Sequence, residues 1–270
     1  MVFFLKPYNR YRGKMLTVTS VQNSVDRQFE NSSTFNHGKS RRDVIKNNRK
    51  GFLTIVGIGL ALMIPICTAL AESLDRLSAE WWQWALSIPT SVNPQIDPTG
   101  QNAVVGQRGS VWFLAGVFFG GTATRTFSVP ERTQLFVPVI NSVQINTPNV
   151  CGQTGTLSVK ELRASAAAFI DEATNLSVTV DGVPIKKLQR VRSQIFAVAL
   201  PVDNIFNSPC GGPGTVPPGI YSPAVDDGFY VLLDPLPLGH HALHFHSENP
   251  SQNFMEDVTY NLTVVPVSLK

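Results

Sequence analysis

Histidine is the residue type whose clustering in this chain most directly suggests chemistry. The stretch GHHALHFH, residues 239–246, holds four of the five histidines. Imidazole nitrogens are common zinc ligands, and the two histidines of an H-x-H pair on one strand lie roughly 7 Å apart on the same face. His244 and His246 are therefore candidate ligands for zinc or another divalent metal, with Glu248 as the third ligand.

Strand alternation places these candidates on the outer face of a sheet. Leu243 and Phe245 are apolar and mark the buried side, so His240, His244 and His246 are predicted to face solvent. Metal ligands normally need supporting hydrogen bonds, which an exposed strand lacks. We therefore expect a solvated, titratable strand and no obligatory cofactor, and a metal-dependent exported enzyme is the alternative.

The distribution of charge limits the class of partner. Residues 1–71 carry eleven Lys and Arg against three acids, whereas residues 72–270 carry eleven against sixteen. Binding to nucleic acid needs clustered positive charge, and the acidic body has no basic stripe. The composition therefore argues against a nucleic-acid partner.

Catalytic motifs give no assignment. The chain has no G-x-S-x-G elbow, so serine hydrolase chemistry has no local support. Asp226 and Asp227 precede a strand predicted from residue 229, and a carboxylate pair for glycoside hydrolysis stays open because such pairs leave no spacing signature. We assign no catalytic residue.

Residues 40–71 have the order of an export signal. A basic stretch is followed by an apolar run and then by Ala69 and Ala71 in an A-x-A arrangement. SRRDVIK, residues 40–46, also resembles the twin-arginine signal. We expect cleavage after Ala71 and a periplasmic or secreted protein that meets the membrane only through this signal.

Two further interpretations concern the same region. An uncleaved anchor is the alternative to cleavage, because the 20-residue apolar run at residues 52–71 is long enough to cross a bilayer. Residues 1–39 are polar, rich in Asn and Ser, and without sustained periodicity, which indicates disorder or a true start codon farther along the chain.

The cysteines bear on the same compartment. Removal of residues 40–71 would leave Cys151 and Cys210, each in a Gly- and Pro-rich loop. In an oxidising compartment such a pair is most simply a disulfide that closes a long loop. The alternative is a thiolate nucleophile or a copper ligand.

Two helices are predicted. The first covers about residues 73–86, where apolar residues recur at spacings of three and four and include Trp81 and Trp84. The second runs from Ser158 to about Ala173 and opens with a capping box formed with Glu161. We expect the first, amphipathic helix to pack on a sheet.

Most of the remaining chain reads as short strands separated by turn residues. Strands are predicted from residues 111, 124, 134, 176, 194 and 229, and DVTYNLTV, residues 257–264, alternates between apolar and polar residues. This density predicts a mainly β fold, a single β-sandwich of the jelly-roll or immunoglobulin-like kind over residues 72–270.

Trp82 is a candidate ligand-binding residue. Trp81 and Trp84 fall on the apolar face of the first predicted helix, whereas Trp82 and Gln83 are predicted to be freer of the core. An exposed tryptophan can stack on a sugar ring, as aromatic faces do in carbohydrate-binding modules. A carbohydrate-binding or carbohydrate-active protein is therefore a further alternative.

Several motifs in combination resemble a known family. They are WWQWALSIP, VWFLAG, LSVTVDGVP, DGFYVLL and DVTYNLTVV, and together they are similar to a family of exported bacterial proteins whose activity is not assigned. The resemblance covers most of residues 80–265 and implies only an exported β-rich domain. It does not include His241 and His246. The sequence thus predicts an exported, non-catalytic binding or structural domain.

Overall fold

The computed structural model describes residues 65–267, with side chains from Leu74 onward. The described chain is mainly β, with two α-helices and two five-stranded sheets. The SRRDVIK segment, most of the predicted export signal and residues 1–39 lie outside the described residues. No helix in the described range is long and apolar enough to span a membrane.

Helix α1 (Pro65–Ser87) carries the predicted apolar face. Trp81 is fully buried and Trp84 is nearly so, as the spacing indicated. The side-chain amide of Asn93 donates to the carbonyl oxygens of Ala85 and Ile88, which satisfies groups that a helix end leaves unpaired. The helix begins earlier than predicted and is continuous across residues 71 and 72.

Helix α2 (Val159–Asp171) begins as predicted. The Ser158 hydroxyl accepts a hydrogen bond from the Glu161 backbone N–H, and the Glu161 carboxylate accepts one from the Ser158 backbone N–H. This reciprocal capping box is a local signal, and the structure confirms it.

Ten strands are present in the described residues. In chain order they are β1 (Val111–Phe113), β2 (Gly121–Pro130), β3 (Gln134–Ile145), β4 (Thr174–Val180), β5 (Val183–Pro184), β6 (Gln189–Arg192), β7 (Phe196–Leu200), β8 (Gly219–Leu233), β9 (Gly239–Asn249) and β10 (Phe254–Val265). The first sheet has the order β1-β3-β8-β6, with β7 also paired to β8. The second has the order β2-β10-β9-β4-β5.

Two apolar cores flank the first sheet. One is formed by α1 packed against residues of β3, β7 and β8 that include Phe136, Val198 and Tyr230. The other contains residues from both sheets. Strand β10 supplies this second core through alternate residues, as its sequence predicted: Val258, Tyr260, Leu262 and Val264 are buried.

Strand β3 has an incompletely paired edge. Strand β1 runs parallel to it and pairs only with residues 134–136. The register of β3 against β8 on its other side shifts between Pro138 and Ile140. The first edge of β3 is therefore without a partner strand beyond residue 136 within the described chain, and the candidate site lies there.

The predicted disulfide is present. Cys151 and Cys210 are bonded, with their Cα atoms 5.2 Å apart, within the usual range for a disulfide. Both residues pack against the core beneath α1.

The prediction that Asp226 and Asp227 precede a strand is wrong. Both lie inside β8 and are almost fully buried. Asp227 is compensated by Arg190 and Arg192 of β6, at 2.8 and 3.2 Å. Strand β6 was not predicted, because its charged residues mask the strand pattern until the partner carboxylate is known.

Candidate ligand-binding cleft

A cleft of about 710 Å³ opens beside the unpaired edge of β3. It is bounded by Trp82 of α1, by residues 138 and 141–144 of β3, by Phe169 of α2 and by the start of β10. Residues 116–118 close one side, where the chain leaves β1. This volume includes open solvent at the mouth of the cleft.

Phenylalanine side chains form the rim of the cleft. Phe118 meets Phe206 edge to face with ring centroids 5.7 Å apart, and Phe169 meets Phe254 in the same way at 5.7 Å. Phe206 is buried, whereas the other three are half-buried. Because aromatic rings contribute large contact areas with defined geometry, this rim can hold an apolar ring.

Three amide side chains that line the cleft carry unpaired polar atoms. Gln95 and Gln144 are each 3% exposed. Gln95 Nε2, Asn141 Nδ2 and Gln144 Oε1 are buried without a hydrogen-bond partner in the described structure, and all three residues line the cleft. A buried polar atom without a partner costs about 1–3 kcal/mol, and such atoms are rare in folded proteins. A ligand that paired with these atoms would recover this cost.

Glu256 is the one ionisable side chain in the described lining of the cleft. It is 6% exposed and accepts a hydrogen bond from the Val117 backbone N–H. Burial raises the pKa of Glu256 to about 8, although the Val117 N–H and the positive charge of Arg125 act in the opposite direction. A side chain at Gly116 would bring its Cβ into collision with Glu256 Oε1, so the close approach requires glycine.

Arg125 lies behind the floor of the cleft, and its hydrogen bonds are made to other groups of the protein. Its guanidinium donates to the backbone oxygens of Asp97, Ala115 and Gly116 and to the Tyr260 hydroxyl. These bonds hold the segment that leads from β1 to the cleft. The buried cation therefore positions this segment and does not line the cleft.

The prediction that Trp82 is free of the core is wrong. Trp82 is 4% exposed, and its Nε1 donates to Asp226 Oδ1 at 2.8 Å. Tyr230 donates to the other oxygen of Asp226 at 2.8 Å. Burial raises the pKa of Asp226 to about 8 despite these two hydrogen bonds. Trp82 still lines the cleft, and its role in binding a ligand stays a prediction.

The histidine strand forms a separate polar cluster on the outer face of the second sheet. Leu243 and Phe245 are fully buried, so the predicted strand parity is confirmed. His244 Nε2 lies 3.1 Å from one oxygen of Asp257, and His246 Nδ1 lies 3.0 Å from the other.

Glu248 completes this cluster through His246. The Glu248 Oε1 atom lies 3.0 Å from His246 Nε2. Partial burial lowers the pKa of His246, but its hydrogen bonds with Glu248 and Asp257 outweigh that effect and raise it. Both ring nitrogens face carboxylate oxygens, an arrangement that suits the protonated ring.

The structure brings the predicted metal ligands together as hydrogen-bonded partners. His244, His246 and Glu248 lie on one face of β9, and Asp257 of β10 joins them. Among the residues described, no group of three or more His, Cys, Asp or Glu is arranged so that it could hold a metal ion. A metal site at these residues stays a prediction.

Comparison with known proteins adds no assignment: no family model, curated protein or solved structure matches this chain. The resemblance to a family of exported proteins stays a prediction. Sequence reasoning missed Gln95, Gln144 and Glu256, which lie far apart in the chain. Nothing in their local sequence marks them as neighbours.

Proposed function

We propose that this protein is an exported, non-catalytic binding protein whose two sheets form a β-sandwich and whose cleft beside β3 holds a small ligand. The observation that carries the proposal is the set of buried, unpaired polar atoms on Gln95, Asn141 and Gln144, which line that cleft. A purely structural domain gains nothing from such atoms, whereas a binding site uses them for specificity.

The architecture supports the sandwich. Inward-facing residues of both sheets share one apolar core, which includes Val137 and Val231 from the first sheet and Phe245 and Val258 from the second. Antiparallel pairing dominates both sheets. A rigid two-sheet scaffold with a cleft at one edge suits a binding role, because the scaffold fixes the side chains that contact the ligand.

Export rests on the SRRDVIK segment and on the disulfide. A disulfide persists in an oxidising compartment, and Cys151 and Cys210 are bonded. We expect amino-terminal sequencing of the exported protein to begin at Glu72. Exported protein that retained residues before Glu72 would contradict cleavage, and confinement of the protein to the cytoplasm would contradict export.

Binding in the cleft can be tested with the neutral fluorophore N-phenyl-1-naphthylamine. Ser142 lines the cleft, so Ser142→Phe would fill it. We expect saturable one-to-one binding to the wild type and at least about tenfold weaker binding to this variant, since overlapping atoms exclude the probe. The measurement is a fluorescence titration.

The matched control is Ser177→Phe, an exposed position on β4 in the other sheet. It adds the same side chain away from the cleft, so its affinity for the probe should equal that of the wild type. Equal binding by all three proteins, or no saturable binding, would show that the cleft is not the binding site.

The metal-dependent alternative has its own decisive result. Metal analysis of the purified protein measures whether zinc, copper or iron is retained. One tightly bound equivalent, lost when His244→Ala and His246→Ala are combined, would replace the non-catalytic proposal by a metalloprotein function at the outer face.

A further inference from the structure

The charges around the cleft identify a class of ligand, if the cleft binds a ligand as proposed above. The described lining contains no Lys, Arg or His, so an organic anion would find no free basic partner there. Arg125 is the nearby cation, and backbone oxygens and the Tyr260 hydroxyl already accept its hydrogen bonds.

The charges of Glu256 and Arg125, taken together, disfavour a cationic ligand. When Glu256 is ionised, Arg125 balances it, and when Glu256 is protonated the two groups together carry a positive charge. The positive charge of Arg125 is one of the effects that act to lower the pKa of Glu256. In neither state does the floor offer net negative charge, and a buried charge without a partner is costly.

The unpaired atoms specify the polar group of the ligand. Gln95 Nε2 and Asn141 Nδ2 can each donate a hydrogen bond and need an acceptor, whereas Gln144 Oε1 can accept one and needs a donor. One ligand oxygen with two lone pairs can accept from both donors. A hydroxyl or a carboxamide supplies both functions without charge. The carboxamide is the closer complement, because its donor and acceptor are separate atoms that can face two different partners.

The rim specifies the remainder of the ligand. The polar floor is nearly inaccessible to solvent, whereas Phe118, Phe169 and Phe254 at the rim are half-buried. A molecule that entered with its polar group first would leave an apolar portion between these rings. Edge-to-face and offset-stacked contacts favour an aromatic ring in that position.

We propose that the cleft binds a small neutral ring compound whose hydroxyl or carboxamide pairs with Gln95 and Gln144 while its ring lies among the rim phenylalanines. Glu256 lies beside this polar group as a neighbour on the floor. The proposal concerns the same cleft as the proposed function and adds the chemistry of the ligand.

Four phenyl compounds test this class by isothermal titration calorimetry. Benzamide is neutral and carries a donor and an acceptor, benzoate is an anion, benzylammonium is a cation, and toluene has no polar group. We expect benzamide to bind at least about tenfold more tightly than the other three, because each of them leaves a buried partner unpaired or brings an unpaired charge.

The variants assign the effect to the floor. We expect Gln144→Leu to weaken benzamide by at least about tenfold and to leave toluene unchanged, since the variant loses the acceptor for the ligand and otherwise only the long hydrogen bond from Gln144 Nε2 to Ser142 Oγ at 3.4 Å. Gln95→Leu is an independent test of the donor. Gln101→Leu is the control, because Gln101 is exposed and lies outside the cleft lining. Thermal unfolding identifies any variant that fails to fold.

The outcomes separate the two proposals. If toluene, benzoate or benzylammonium binds as tightly as benzamide and Ser142→Phe abolishes that binding, the cleft binds ligands but the proposed ligand class is wrong. The ligand class is also wrong if Gln144→Leu and Gln95→Leu both fold and leave benzamide affinity unchanged. If no compound binds, or if Ser142→Phe has no effect, the cleft itself is rejected as the binding site.

Discussion

Loss of the Cys151–Cys210 disulfide is expected to lower the free energy of unfolding by about 4 kcal/mol. The bond joins residues 59 positions apart, so it restricts the unfolded chain over a long loop. Both cysteines also pack against the core beneath α1. Urea unfolding of the Cys151→Ser, Cys210→Ser double variant measures the loss.

Reduction of the wild-type protein is the independent measurement. A reducing agent should move the wild-type unfolding midpoint to that of the double variant, and it should leave the midpoint of the double variant in place. Quantitative alkylation of both thiols in exported protein, or an unchanged midpoint after reduction, would contradict the presence of a stabilising disulfide.

The disulfide also bears on the cleft. Phe206 lies four positions before Cys210, and its carbonyl accepts a hydrogen bond from the Cys210 N–H at 3.1 Å. The other cysteine follows β3, which carries Gln144. The disulfide therefore connects the segment that contains Phe206, at the cleft, to the segment that follows β3.

The stability of the protein is expected to fall as pH rises from about 4 to about 8. Asp226 is buried against Trp82 and Tyr230, and burial raises its pKa from 3.8 to about 8. Across that window the folded protein holds a proton that the unfolded chain has released, so the free energy of unfolding decreases with pH. The slope is about 1.4 kcal/mol per pH unit for one group.

Asp226→Asn isolates this contribution. The amide can accept from Trp82 Nε1 and donate to the Tyr230 oxygen, so the local hydrogen bonds are kept while the titration is removed. Between pH 5 and pH 7 we expect the variant to lose about 3 kcal/mol of the wild-type pH dependence. Urea unfolding at several pH values gives the pH dependence of the free energy of unfolding for the wild type and for the variant. Burial also raises the pKa of Glu256, so its contribution to the pH dependence should remain in the variant.

The neighbouring carboxylate is the matched control. Asp227 is paired with Arg190 and Arg192, so Asp227→Asn should destabilise the protein at neutral pH by removing the partner of two cations. The negative charge of Asp227 is a lesser cause of the raised pKa of Asp226, after burial. The Asp227→Asn variant should therefore keep a fall in stability with rising pH, over a narrower pH range. Parallel wild-type and Asp226→Asn curves would show that Asp226 is ionised in the folded protein.

The sequence by itself determined the features that depend on neighbouring residues. The spacing of Trp81 and Trp84 identified the buried face of α1, and Ser158 with Glu161 identified the start of α2. Alternation in β9 and β10 assigned each side chain to a face, because successive residues of a strand point in opposite directions. The two cysteines outside the predicted export signal left one simple pairing.

Only the tertiary structure showed which residues line the cleft. Gln95, Gln144 and Glu256 lie in a loop, in β3 and in β10, and they line one cleft beside the edge of β3 that β1 leaves unpaired beyond residue 136. Asp226 was predicted to precede a strand, whereas it lies inside β8 with hydrogen bonds from Trp82 and Tyr230. Periodicity records which face a residue occupies, whereas the partner across that face is set by the pairing of strands far apart in the chain.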